Sequence, residues 1–566
     1  MRWAVVFWLA WAGGTNLTGG PLWGRQDANA ELGHQRQQFQ AQELALSKSG
    51  GWIFTIGNTP RIIWRDVDEV RRRGLYVDFQ TRWFDDELNE RAEPNRGGRW
   101  MAWLEGRSPN DTPFRRAFTF YVIPENLDTS YTPDLTIAFP NFPGPNGPPA
   151  WREHQTEFDR IARDLVVRTL MDSERGAILV AGLTESQTLG RPKRFVESTA
   201  AMNADRHLAL KLKVLGLSDQ VRALQPPQNL VEPAAVLRAG SFEEACVPPD
   251  AKQKIDDYCR QWATATGEPF VIVVARQGVI VTHEAFGTDA LGQPIDRDYR
   301  SWVASITKTV TATMFSQFVD QGLIELDAPL STVFHDYPHG SPHVPTFRQL
   351  LNHTSGLAGH GEYGGMWNPH LENIVLNAID VNEPGKVHQY CGLGFELAAK
   401  AMEIVSGQSA ARIFDSHLFQ PLGFGDVVLG NASSDGEFTA MELAILGQYM
   451  INRGSYGEWQ FISPATFAEF MPQPQHVAGA TDLQGLGVHP IRHRKAGAPA
   501  DSRRPEDLCF GPNTIGHGSF SGSIFVVDPD QQLIITQSRR AYRDADNEWF
   551  YRFFQVVAEA IKPENK

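Results

Sequence analysis

Along this chain the spacing of apolar residues changes near residue 250, and the change divides it. Before that point the apolar positions mostly alternate in short runs cut by turn residues. Leu75, Val77 and Phe79 alternate, and Arg99-Trp-Met-Ala-Trp-Leu104 and Ala117-Phe-Thr-Phe-Tyr-Val122 have the aromatic and β-branched composition of strands. Phe139-Pro-Asn-Phe-Pro-Gly-Pro-Asn-Gly-Pro-Pro149 reads as a loop or linker. Beyond it Phe158, Ile161 and Leu165 fall on one helical face, and Ala177-Ile-Leu-Val-Ala181 reads as a buried strand. Leu208, Leu210, Leu212 and Val214 alternate with Ala209, Lys211 and Lys213, which predicts a further strand. Residues 31–216 are therefore expected to form a β-rich, α+β accessory module, and the Pro-containing residues 217–250 a linker.

From Ala251 the pattern stays coherent. An amphipathic helix leads into Phe270-Val-Ile-Val-Val-Ala275, a turn at Arg276-Gln-Gly278, and Val279-Ile-Val-Thr282. Two β-branched runs around a glycine turn mark a hairpin. Val303, Ile306, Val310, Met314 and Phe318 recur three or four residues apart, predicting a helix with one buried face and Gly322 as its C-cap. A second helix runs from about Phe395 to Ser406 and ends at Gly407. Ile524-Phe-Val-Val-Asp-Pro-Asp-Gln-Gln-Leu-Ile-Ile535 is another hairpin, turning at Pro529-Asp530. Trp549, Phe550, Phe553, Val557 and Ile561 belong to a last helix. Strands at both ends with helices between predict one antiparallel sheet whose first and last segments pair, flanked by helices, across residues 251–562.

Composition sets the surroundings. Hydrophobic residues at 42% and charged residues at 21% are those of ordinary globular protein. A net charge of −14 without any long basic run argues against nucleic acid and anionic membrane surfaces as partners. Arg71-Arg-Arg73 and Arg492-His-Arg-Lys495 are short, solvated faces. Arg2 precedes the apolar run Trp3–Ala12, which is too short to span a bilayer, so residues 1–30 read as an export signal with a small-x-small site at Ala28-Asn-Ala30. No later stretch approaches the ~18 apolar residues of a membrane helix. Cys246, Cys259, Cys391 and Cys509 have neither metal spacing nor the density of a disulfide scaffold. Cys246 with Cys259 and Cys391 with Cys509 are pairings that an oxidising compartment would permit. Trp52, Trp64, Trp83, Trp100 and Trp103 read as the core of the β-rich module, with a ligand platform as the alternative.

Ser305-Ile-Thr-Lys308 opens the predicted helix that Gly322 caps. Residues three apart lie one above the other on a helix, so Lys308 can set its amine beside the Ser305 hydroxyl. A lysine whose pKa is lowered by partial burial can take the proton that turns a serine into a nucleophile. Alone, the pattern recurs by chance, and its bland reading is an ordinary helix with a solvated lysine. Behind it stand, in order, Gln349-Leu-Leu-Asn-His-Thr-Ser-Gly-Leu357, Tyr390-Cys-Gly392, Phe419-Gln-Pro-Leu-Gly423 and Gly516-His-Gly518. With these motifs in this order, residues 251–562 resemble the serine β-lactamase and penicillin-binding-protein superfamily, in the class C-like branch of esterases, D-amino-acid peptidases and class C β-lactamases.

The resemblance implies a β-lactamase/transpeptidase-like domain, in which the sheet and its helices are joined by an all-helical subdomain. It implies a cofactor-free bacterial serine hydrolase, periplasmic or extracellular, acting through an acyl-enzyme on a small ester, peptide or cell-wall-derived substrate. Carried over by position, Ser305 is the nucleophile, Lys308 eases its deprotonation, and Tyr390 helps move the proton to the leaving group. His517 replaces the lysine of Lys-Thr-Gly across the cleft, and the backbone N–H groups of Ser305 and Phe520 form the oxyanion hole. Gly392, Gly518 and Ser519 fall on substrate-facing segments.

Two positions depart from the family pattern. Gly392 stands where Tyr-x-Asn has its Asn, removing an amide that helps hold the substrate side chain and the lysine. Ser519 stands where the third motif has glycine, narrowing the cleft or supplying a hydroxyl contact. Both favour ester or peptide-like substrates over lactams, with a β-lactam-binding or β-lactam-hydrolysing protein as the alternative. A metal-dependent hydrolase is suggested by His335, His339, His343, His353 and His360. Pro338, Gly340 and Pro342 break the first three into a loop, and His353 belongs to the family motif, where its role is structural. An inactive cell-wall sensor is the non-enzymatic alternative, against which the intact Ser305, Lys308 and Tyr390 stand.

Overall fold

The computed structural model describes residues 51–56, 59–64, 78–85, 87–91, 100–107 and 115–122. From residue 199 to 562 it describes all but 290–291, 335–343, 358–365, 367–370, 373–381, 480–482, 500–501 and 540–545. The chain divides into Met1–Gln220 with Glu362–Val381 and Gly407–Ser409, and Val221–Gly361 with Asn382–Ser406 and Ala410–Lys566. In the first unit β1 (Gly51–Ile56) pairs antiparallel with β2 (Thr59–Trp64). A four-stranded sheet joins β3 (Asp78–Phe84), β4 (Glu90–Arg91), β5 (Trp100–Arg107) and β6 (Arg115–Val122) in the order β4-β3-β5-β6.

One expected strand is a helix. Leu208, Leu210, Leu212 and Val214 lie in α1 (Thr199–Val214), not in a strand. The alternation is misleading because Lys211 is buried as well, its ammonium paired with the carboxylate of Glu372. Once Lys211 counts as an inside residue, the period of two disappears. Gly216, at φ 68°, closes α1, with Leu217 N–H donating to the Leu212 carbonyl at 2.8 Å. The helix expected around Phe158–Leu165, the strand at Ala177–Ala181, the proposed signal and the five tryptophan side chains lie outside the described residues.

The second unit is built on a six-stranded antiparallel sheet. Its order is β11 (His489–Pro490), β12 (Ile515–Gly516), β13 (Ile524–Asp528), β14 (Leu533–Arg539), β7 (Phe270–Arg276), β8 (Val279–Phe286). As expected, the first and last segments pair: β14 runs beside β7 from Leu533 opposite Arg276 to Arg539 opposite Phe270. The β7–β8 turn is Gln277-Gly278 at φ 54° and 73°, the two left-handed residues of a type I′ hairpin. The apolar run of β7 does not alternate because both its faces are covered. Phe270, Ile272 and Val274 pack with α2 (Ala251–Thr266) and α6 (Asp546–Ala560). Val271, Val273 and Ala275 pack with Ala440 and Ala444 of α5 (Ala440–Ile451). Each of the valine, isoleucine and phenylalanine side chains contributes about 1.5–3 kcal/mol by burial.

The residues from Val221 on, whose composition reads as a linker, are hydrogen-bonded to this unit. Gln228 and Asn229 pair with Gln460 and Trp459, and Ile280 N–H donates to the Arg238 carbonyl at 2.9 Å. A proline-rich, aperiodic composition excludes long elements but leaves the backbone free to pair. The four cysteines are free thiols, Cys246 exposed and the others buried, so neither permitted pairing is made. Among the described residues no helix is long and apolar enough to cross a membrane.

Candidate active site

Ser305 stands at the entrance to α3 (Thr307–Asp320), in the middle of the 3₁₀ turn Ala304–Ile306. The helix differs from the expected one-faced element: every residue from Thr307 to Phe318 is buried. Its threonines enter the core by bonding to carbonyls, Thr309 to Gly487 at 2.7 Å and Thr311 to Ala432 at 2.6 Å. Gly322, at φ 65°, caps it as expected, with Leu323 N–H donating to the Phe318 carbonyl at 2.9 Å.

Upstream, β9 (Ser301–Trp302) pairs with β10 (Gly436–Phe438) and Val303 N–H donates to Gly436 O at 2.9 Å. Ala304 then takes φ 45°, a left-handed conformation that costs a residue with a Cβ about 1–2 kcal/mol. Thr307 Oγ1 donates to Ala304 O at 2.7 Å and accepts Gly436 N–H at 2.9 Å.

Lys308 is one turn on and wholly buried, at 0% exposure. Its Nζ donates to Ser433 O at 2.7 Å, lies 3.5 Å from Ser305 Oγ, and sits 4.8 Å from the Tyr390 ring centroid. Burial pushes the ammonium down from 10.5 to about 8, against the opposing pull of Glu396 and Cys391. The accepting carbonyl belongs to a pinned loop. Asn431 Oδ1 accepts the N–H groups of Ser433 at 2.9 Å and Ser434 at 2.6 Å, and Trp302 Nε1 donates to Ser434 O at 2.6 Å.

Tyr390 hydrogen-bonds Ser305, and burial pushes its phenol up to about 12. The Leu350–Leu357 motif builds its support. His353, at φ 64°, lays its ring 4.4 Å from that of Tyr390, and its Nδ1 accepts Cys391 N–H at 3.1 Å. Gly356, at φ 79°, passes so close to Asn382 that a Cβ would meet its carbonyl oxygen at 2.0 Å. Gly392 is buried and its carbonyl accepts Phe395 N–H at 3.0 Å at the start of α4 (Leu393–Ser406).

His517 is 4% exposed, with its ring 4.5 Å from His489 and 6.4 Å from Tyr390. Its Nδ1 donates to Gly518 O at 2.6 Å, so the proton is on Nδ1 and Nε2 is a buried acceptor lacking a partner. Burial first, then His489 and Lys308, hold its pKa well below the usual range, and the imidazole is neutral. A Cβ at Gly518 would meet open space. The Ser519 hydroxyl donates to Val303 O at 2.9 Å, a bond to the nucleophile loop that was not among its expected roles. Beyond it lie close hydroxyls, Ser519–Ser521 at 2.8 Å and Ser521–Ser523 at 2.9 Å, with Ser523 donating to Arg539 O at 3.0 Å, so the single Ser521 proton serves one of its two neighbours. Phe520 is 81% exposed, its ring edge-on to Trp302 at 6.4 Å.

Ser305, Lys308, Tyr390 and His517 thus come together, and Ser519 reaches them through Val303. Sequence reasoning missed Ser433, Asn431, His489 and Glu396. Glu396 alone carried a signal, an acidic residue inside the apolar helix Leu393-Gly-Phe-Glu-Leu-Ala-Ala399. Among the described residues no group of three or more His, Cys, Asp or Glu side chains is placed to hold a metal. His335, His339, His343 and His360 lie outside them.

A family model described as Beta-lactamase matches residues 267–551. Penicillin-binding protein 4 of Amycolatopsis lactamdurans is 32% identical over 21% of this chain and 33% of its own length. The D-alanyl-D-alanine-carboxypeptidase/endopeptidase AmpH of Escherichia coli is 27% identical over 31% of this chain and 49% of its own. Esterase EstB of Burkholderia gladioli is 29% identical over 28% and 45%. The chain therefore spans a third to a half of the length of these curated relatives.

Proposed function

The chain belongs to the beta-lactamase family, and on that premise we propose that it is a serine hydrolase in which Ser305 forms an acyl-enzyme with small ester or peptide-like substrates. The observation that carries the reading is the buried Lys308 amine beside the Ser305 hydroxyl, 3.5 Å away, with the Tyr390 phenol on the same hydroxyl. With Lys308 at about 8, roughly a tenth of it is a neutral amine at pH 7, whereas Tyr390 at about 12 is almost wholly phenol. Lys308 is therefore the base that takes the Ser305 proton.

Serine Oγ attacks the carbonyl carbon, and the oxyanion is held by the backbone N–H groups of Ser305 and Phe520. Collapse breaks the bond to the leaving group, which takes the proton from Lys308 through Tyr390. Water then attacks the acyl-enzyme by the reverse proton path, releasing the acid and restoring Ser305. A neutral His517 presents no positive charge to a substrate carboxylate. Together with the bare Gly392, this supports uncharged esters over β-lactams, which bring a carboxylate. Arg2 and the apolar run to Ala12 support export.

The test is covalent labelling of the full chain by a fluorophosphonate probe. The wild type labels and Ser305→Ala does not; equal labelling of Ser305→Ala moves the nucleophile elsewhere, and an unlabelled wild type leaves a binding protein.

A further inference from the structure

Glu396 is 0% exposed and flanked in sequence by Phe395 and Leu397, both at 0%. A carboxylate taken out of water is costly unless hydrogen bonds and charges around it compensate. Its Oε2 accepts the Ala432 N–H at 3.1 Å. The next carbonyl along, Ser433 O, is the one to which Lys308 Nζ donates at 2.7 Å. The other side of the same residue is also held, since Thr311 Oγ1 donates to Ala432 O at 2.6 Å. A single peptide thus separates a buried acid from the buried amine beside Ser305.

We infer that Glu396 is a positioning residue for Lys308: through Ala432 its carboxylate fixes the carbonyl that anchors the amine, and its negative charge acts on that amine. The inference rests on the reading of Lys308 as the base.

The surroundings of the amine support it. Tyr390, Cys391, Glu396 and the rings of His353, His489 and His517 stand around Lys308. Burial keeps His353 and His517 neutral, holds His489 down to about 4, and keeps Tyr390 a phenol. Against the burial that lowers Lys308, Glu396 is the larger opposing influence and Cys391 the smaller. Without that carboxylate the amine would be a weaker base, neutral over a wider range.

The experiment is the rate of fluorophosphonate labelling of the full chain between pH 5 and 10, which needs no known substrate. The wild type loses reactivity as pH falls through about 8. In Glu396→Gln this acid limb moves to lower pH by about one unit, the scale of one charge acting across a protein interior. The plateau above the limb falls too, because a weaker base removes the proton less well. Glu396→Asp keeps the charge but draws it back by one methylene, so its limb lies between wild type and Glu396→Gln. A merely structural role lowers the plateau with the limb in place. Limbs at the wild-type pH in the variants, Asp alone if Gln does not fold, overturn the inference. A wild type with no limb at all overturns the reading of Lys308 instead.

Discussion

Ser519→Gly restores the residue that the family motif usually carries, and it should slow the proposed acylation of Ser305. The hydroxyl donates to Val303 O at 2.9 Å, immediately before Ala304 with its left-handed φ of 45°. Val303 O also receives Ile306 N–H at 3.3 Å, so losing the hydroxyl leaves the carbonyl partnered. The cost is then one net hydrogen bond, about 0.5–1.5 kcal/mol. The left-handed Ala304 stores about 1–2 kcal/mol that would be released if the Val303–Ala304 peptide turned over. The two magnitudes are comparable, so the substitution tips the loop towards relaxation and displaces the Ser305 N–H from the oxyanion. A loss of about 1 kcal/mol is a factor of about five in rate, with kcat falling more than KM rises. The assay is p-nitrophenyl acetate hydrolysis, in parallel with the fluorophosphonate labelling rate. Ala304→Gly removes the stored strain, so in the double variant Ser519→Gly should cost much less than it does alone. Rates for Ser519→Gly within a factor of about two of wild type, or strict additivity with Ala304→Gly, would refute the reasoning.

Lys308→Ala lowers turnover by at least ~10²-fold, the scale of a lost general base; in the wild type kcat/KM rises with pH and levels above about 8, and a flat profile from pH 6 to 10 removes Lys308 from that role. Gly392→Asn raises the ratio of nitrocefin to p-nitrophenyl acetate kcat/KM by about two- to tenfold, the worth of one hydrogen bond; an unchanged ratio shows that Gly392 does not set the preference. A fragment from Val221 melts cooperatively and labels. One from Ala251, stripped of the Gln228–Asn229 pairing and the Arg238 bridge to Val279, melts at lower temperature by scanning calorimetry.

What was legible in the sequence had a local physical cause. The Gln277-Gly278 hairpin, the glycine-capped helices and the pairing of the two ends of the sheet follow from period, turn chemistry and element order. Ser305, Lys308, Tyr390 and His517 were marked by ordered motifs, and the structure brings them together. The misreadings arose where a side chain's polarity said little about its place. Lys211 is inside because Glu372 pairs with it, and the α3 threonines are inside because their hydroxyls reach carbonyls. The anchor of Lys308 was invisible for another reason: a backbone carbonyl, such as that of Ser433, has no letter of its own.

The placement of β14 bears on how the protein can be made. It is an interior strand, bonded to β13 on one side and to β7 on the other, yet it lies more than two hundred and fifty residues after β7. While a ribosome is still adding residues 280 to 530, β7 and β8 are exposed as an unfinished sheet with an open apolar edge. Local helices can form early, but the sheet cannot close until the chain through Arg539 has left the exit tunnel. Closing so distant a pairing is slow, because the loop entropy is lost before the contacts return it. The second unit therefore cannot close its sheet before β14 has emerged, and until then it depends on whatever shields β7 from other chains.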